Sequence, residues 1–391
     1  MKNKHIYLDS HATTAVDQDV LSAMLPFFTE HYGNGNHRGG RKTALALEKA
    51  RFQVSNLIGA RPSEVVFTSG ATESINIGLL GLADANTSKR NHIVTQRTEH
   101  SAVLQCVEAL KLRGYNVTLL DVDSVGRIDV NQLKQVVTEK TLVVAIMLAN
   151  NEIGTVQPIE EIGKICSSVD AKFFCDITQG IGWNSVDVDK MNIDLASMSS
   201  HKIYGPRGVG ALFVRRLGAK VNIKPILFGG GQERGIRPGT ANIPGIVGLG
   251  KACELLSINS EKTFNKVRMM RDHLQEIIFS SIEGVKLNGC PINRHPGNLN
   301  IAIPKITGED IIGELSLIMF STSSACASGT VGPSHVISAI TADENTLKGS
   351  FRLGINKDNT VEEIDYVGDL IVKTVKKLQF RMNTKAIPVI V

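Results

Sequence analysis

Several protein classes are excluded by what this chain lacks. Its six cysteines, at 106, 166, 175, 253, 290 and 326, show no CxxC spacing. That argues against a metal site or a disulfide framework and fits a reducing compartment, so a cytoplasmic location is expected. No apolar run approaches the ~18 residues a membrane helix needs, and Met1-Lys-Asn-Lys-His-Ile-Tyr lacks the apolar core of a signal peptide. Lys and Arg number 43 against 38 Asp and Glu, a formal net charge of only +5 with no run of five or six like charges. Direct nucleic-acid binding is therefore not expected. There are no repeats or low-complexity tracts, no GxGxxG and no Walker GK[ST].

What is present is enough apolar sequence for a large core: 391 residues, 42% of them hydrophobic. Short apolar runs at 64–68, 92–95, 116–121, 142–148, 172–176, 194–198 and 209–214 alternate with amphipathic stretches at 43–57, 74–82, 101–113, 130–137 and 160–169. This alternation predicts an α/β fold with a large, mostly parallel sheet. The run 209–214 follows its predecessor after only a turn, so it is expected to be antiparallel or at an edge. Beyond about Ser257 the pattern becomes α+β, with helices at 265–281, 308–318, 336–341 and 361–379 and strands near 297–303 and 350–354. The expected division is a large unit of residues 13–256 and a small unit of 1–12 plus 257–391.

The most informative segment is Ser199-Ser-His-Lys-Ile-Tyr-Gly-Pro, a polar turn between two apolar runs. A lysine held there suits an imine-forming amine, since desolvation or a nearby cation favours its neutral form. Thr68-Ser-Gly-Ala-Thr-Glu-Ser follows a strand and opens a helix. It reads either as an anion cradle or as a helix N-cap at Thr72. His100, in Arg97-Thr-Glu-His, suits stacking on a flat ring or a helix cap. Asp176, in Asp176-Ile-Thr-Gln, suits pairing with a protonated ring nitrogen, with Gln179 donating to a phenolate, and a helix-cap role is compatible with this. Asn151, in Asn150-Asn-Glu-Ile-Gly, suits holding a carboxylate or a cofactor, or a turn. The Gly-rich, basic run 229–240 ends at Thr240 and reads as a phosphate contact, a linker or an oligomer contact. Cys326 lies in Ser321-Thr-Ser-Ser-Ala-Cys-Ala-Ser-Gly-Thr, among small residues that offer nothing apolar to bury a thiol.

Taken together, these motifs and Tyr7-Leu-Asp-Ser-His-Ala-Thr-Thr resemble, collinearly to about Tyr366, the NifS/IscS-like cysteine desulfurases of the class V aminotransferase group. The resemblance implies the fold type I architecture of pyridoxal 5'-phosphate (PLP) enzymes. It also implies conversion of L-cysteine to L-alanine with sulfur transfer to Cys326 as a persulfide. Lys202 would hold PLP as an imine and shuttle protons, and His100 would stack on the ring and help deprotonate the substrate. Asp176 would keep the pyridine nitrogen protonated, and Gln179 would bond the ring oxygen. Ala71, Thr72, Ser199 and His201 would hold the phosphate, with Thr240 supplied to the neighbouring subunit of a homodimer. Asn151 and Arg352, in Ser350-Phe-Arg-Leu-Gly, would grip the substrate carboxylate. A sulfur-acceptor protein would serve iron–sulfur cluster assembly, tRNA thiolation or DNA phosphorothioation. A selenocysteine lyase, another class V enzyme and an inactive sulfur-relay scaffold are the alternatives. His11 is expected to touch the substrate or to shape its pocket.

Overall fold

The computed structural model describes residues 5–34, 37–218, 220–322 and 333–385. The predicted strand–helix alternation builds a seven-stranded sheet. Its strands are Val65–Thr68 (β1), His92–Gln96 (β2), Asn116–Leu120 (β3), Thr141–Ala145 (β4), Lys172–Asp176 (β5), Leu195–Ser199 (β6) and Gly210–Val214 (β7). The order is β1-β7-β6-β5-β4-β2-β3. The pairs among β2 to β6 are parallel, and β7 runs antiparallel to both β1 and β6. Thus β7 is antiparallel but interior, and the sheet edges are β1 and β3. The central strands are apolar on both faces because helices cover both, which is why β4 reads as an unbroken run, Thr-Leu-Val-Val-Ala.

A second sheet takes Lys286–Leu287 (β8), Asn298–Ala302 (β9), Ser321–Thr322 (β10) and Ser350–Gly354 (β11), in the antiparallel order β10-β11-β9-β8. The N-terminal strand Ile6–Tyr7 pairs in parallel with Ile318–Met319. Accordingly Ile6 and Leu8 join a core with Leu299, Phe351 and Leu353, separate from the core on the large sheet. The stretch 308–318 is helical only to Glu314, because Ile318 is needed for that pairing.

Among the helices are Arg41–Leu57 (α1), Ala71–Ala85 (α2), Ser101–Leu112 (α3), Ile243–Ser281 (α4) and Val361–Lys385 (α5). The helix α4 begins 22 residues before its predicted start, at Ile243 rather than Asn265. Gly245, Gly248 and Gly250 look like breakers in sequence, yet two of them permit close packing. A Cβ on Gly250 would lie 2.6 Å from Ala50 Cα, and one on Gly248 would lie 2.7 Å from Met24 Sδ. Leu256 belongs to the first core and Val267 to the second, so α4 threads both.

Candidate active site

The carboxyl ends of β2, β4, β5 and β6 and the loop after β1 converge on one cavity of about 610 Å³. This is the edge where open α/β sheets bind ligands. Lys202 reaches it from a single 3₁₀ turn after β6, and its Nζ donates to the carbonyls of His11 and, at 2.9 Å, Ala12. Asp176 ends β5, and its Oδ1 accepts from Thr178 N and Ser197 Oγ, each at 3.0 Å. The buried carboxylate is thereby aimed by two donors.

Gln179 is fixed by a two-point contact with His11. Its Nε2 donates to the His11 carbonyl at 2.9 Å, and its Oε1 lies 3.0 Å from His11 Nδ1. Because Gln179 Oε1 can only accept, His11 carries its proton on Nδ1. The His11 ring stands edge-on to His295 at 4.5 Å. Burial, then His295 and Arg352, push His11 well below its ordinary pKa, so it is neutral. The sequence pattern left His11 between two roles, and the structure makes it the mount for Gln179.

His100 is the N-cap of α3, its Nδ1 accepting from Ala102 N at 3.1 Å. Protein atoms surround it, yet the open cavity leaves it accessible to water. Burial lowers its pKa, Asp176 opposes this, and the charges of Lys202 and His335 add to it. With Nδ1 accepting, the neutral ring bears its proton on Nε2.

The anion cradle opens α2. Gly70 sits at φ 155°, ψ −178°, a backbone region left almost entirely to glycine. Ala71 and Thr72 line the cavity beside Ser199 and His201. Burial, then Lys202 and Arg207, lower His201 to about 4, so it too is neutral near pH 7. Arg207 and Thr13 also line the cavity and had been given no role. Arg207 was visible only as the cation in Gly205-Pro-Arg-Gly.

Asn151 lines the cavity, whereas Arg352 is buried beside it, donating to the Asn151 carbonyl at 2.8 Å and to Asp9 Oδ1 at 2.6 Å. Thr240 is not brought to this cavity. It lines a neighbouring one of about 550 Å³, sharing Ser69 and Gly208 with the first. The Gly-rich segment is pinned to the outer edge of β1: Glu233 accepts from Arg51 at 2.7 and 2.8 Å and from Phe67 N at 2.9 Å. Glu233 and Arg234 hold left-handed backbone, φ 46° and 59°, which these bonds offset. Cys326 lies outside the described residues. The other five cysteines are buried, and burial raises the thiols of Cys106 and Cys253 to about 11 and about 12.

Residues 6–367 match the family model Aminotransferase class-V.
The chain belongs to the class-V aminotransferase family, among the cysteine desulfurases.
A relative described as "Cysteine desulfurase IscS", from Anaeromyxobacter sp. (strain Fw109-5), is 44% identical over 96% of this chain and 93% of its own. A solved "NIFS-LIKE PROTEIN" superposes with TM-score 0.88 at 36% identity, covering 96% of this chain and all of its own. A structure titled "SspA in complex with cysteine" superposes with TM-score 0.80 at 33% identity, over 91% and 100% of the two chains.

The family is PLP-dependent, and the residues present fit that cofactor. An amine (Lys202), a buried carboxylate (Asp176) and a helix N-terminus face one cavity large enough for a small-molecule ligand.

Proposed function

We propose that the chain is a PLP-dependent cysteine desulfurase that converts L-cysteine to L-alanine and passes the sulfur through Cys326 to an acceptor protein. The observation that carries this reading is the single cavity shared by Lys202, Asp176, Gln179, His100 and the N-terminus of α2. PLP, when bound, supplies an electron sink for the substrate carbon skeleton.

The chain's own residues do the rest. Lys202 Nζ would anchor the cofactor and then carry protons, its two carbonyl contacts marking its resting place. Asp176 would hold a proton on the pyridine nitrogen, and Gln179, mounted on His11, would bond the ring oxygen. Ala71, Thr72, Ser199 and His201 would hold the phosphate, and His100 would lie against the ring. To take a proton from substrate at Nδ1, it must first leave the Ala102 N–H. Asn151 and Arg352 orient the substrate carboxylate, with Asp9 setting the guanidinium. The Cys326 thiolate attacks the substrate sulfur, the C–S bond breaks with its electron pair left on carbon, and a proton there completes alanine. Cysteine and a thiol thus become alanine and a persulfide.

We further propose a cytoplasmic homodimer in which Thr240 reaches the neighbouring subunit's phosphate. Its large unit is residues 13–256, and its small unit is 1–12 with 257–391. Among the described residues no helix is long and apolar enough to cross a membrane.

Alanine release from L-cysteine tests the reading. The parent protein is expected to release alanine and carry visible absorbance from bound cofactor. Lys202→Ala is expected to lose both, and Cys326→Ser to keep the absorbance and lose alanine release. Alanine from Cys326→Ser at the parent rate would remove the thiol from the mechanism.

A further inference from the structure

The Gly-rich segment touches the cofactor cradle at one ion pair. Arg237 Nε donates to Glu73 Oε1 at 2.9 Å, and Glu73 Oε2 accepts the Ser69 N–H at 2.5 Å. Arg237 lines the cavity that holds Thr240, and Glu73 lines the cavity that holds Lys202. The pair therefore stands in the partition between the two. Its side chains are 27% and 16% exposed, sheltered enough for charge to matter.

Glu73 lies in the first turn of α2. An acidic residue there complements the positive end of the helix dipole. Here, however, the same helix end is the seat proposed for a phosphate dianion, and a carboxylate beside it repels that ligand. Burial pushes the Glu73 carboxyl up, but the bonds from Arg237 and Ser69 outweigh it and hold the group below its ordinary range. Glu73 is thus ionised near pH 7 and needs a counter-charge. Arg237 supplies it from a segment that the Glu233–Arg51 pair already ties to the sheet edge.

We propose that Arg237 is a positioning residue for cofactor retention: it neutralises Glu73 so that the mouth of α2 accepts a phosphate. The proposal rests on the PLP reading above. It differs from a purely structural role because it concerns the phosphate alone.

The test measures dissociation constants of PLP and of pyridoxal, which lacks the phosphate, for the full chain stripped of cofactor. Arg237→Gln is expected to weaken PLP about tenfold and pyridoxal less than about twofold. Arg237→Lys keeps the charge and is expected to stay within about threefold of the parent for PLP. The double variant Glu73→Gln/Arg237→Gln removes both charges and is expected to recover to within about threefold of the parent. The proposal is overturned by unchanged PLP binding in Arg237→Gln, by equal losses for both ligands, or by a double variant as weak as the single. A parent chain that binds neither ligand overturns the cofactor reading itself, and the proposal with it.

Discussion

A carboxyl enclosed away from water keeps its proton unless a cation meets it, and Glu99 illustrates this at the scale of one residue. Its Oε1 accepts from Gln96 Nε2 at 2.6 Å and Met147 N at 2.7 Å, while Oε2 is buried with no partner among the described residues. Burial raises its pKa from 4.5 to about 8, against those two bonds and with the charge of Asp176 adding. The folded state therefore holds a proton that the unfolded chain releases. Stability should be full below the unfolded value near 4.5 and decline as pH rises toward about 8. Glu99→Gln, a neutral mimic, should flatten that decline, worth on the order of a few kcal/mol. Urea unfolding of parent and variant at both ends of the window measures it, and an equal slope in both would show Glu99 ionised throughout. The neighbouring site was unevenly legible in sequence. Lys202, Asp176 and Gln179 stand at the ends of apolar runs, where side-chain type and place agree. The carbonyls of His11 and Ala12 that receive Lys202 have no signature, because backbone acceptors are the same in every residue.

Among the elements, strands and helices of the large sheet were readable because each has one dominant period and length. The start of α4 was not, because glycine signals both a break and a close approach, and only the partner helix decides between them. Gly250 separates the two meanings by sign. As a plain helix position, Gly250→Ala should stabilise by about 1 kcal/mol. Against the Ala50 backbone 2.6 Å away, the added methyl must push α1 and α4 apart. A loss of about 1–3 kcal/mol is therefore expected. Calorimetry gives the sign directly, and a raised Tm would mean that the helices separate without cost.

For the whole molecule, the apolar surface left in the open is the guide. Phe228 is 88% exposed and Tyr32 79%. Leu45 and Phe52 are also exposed, seven residues apart on one face of α1. A second copy of the chain is the expected cover. Leu45→Glu/Phe52→Glu should sediment as a monomer and hold PLP more weakly, since Thr240 would then lack a neighbour to serve. A double variant that still sediments as a dimer would place the interface elsewhere. The pairing of Ile6–Tyr7 with Ile318–Met319 has a consequence in time. At about 5–20 residues per second of synthesis, the first strand waits roughly 15 to 60 s for its partner to leave the ribosome. During that interval the His11 carbonyl and Thr14 already have partners in Gln179 and His201, but Arg352, which ties Asp9 to the Asn151 carbonyl, is not yet made. The nascent chain thus carries an unfinished active site until its last quarter emerges, and a ribosome stalled before residue 318 should display a sheet that holds its cofactor more weakly than the full chain does.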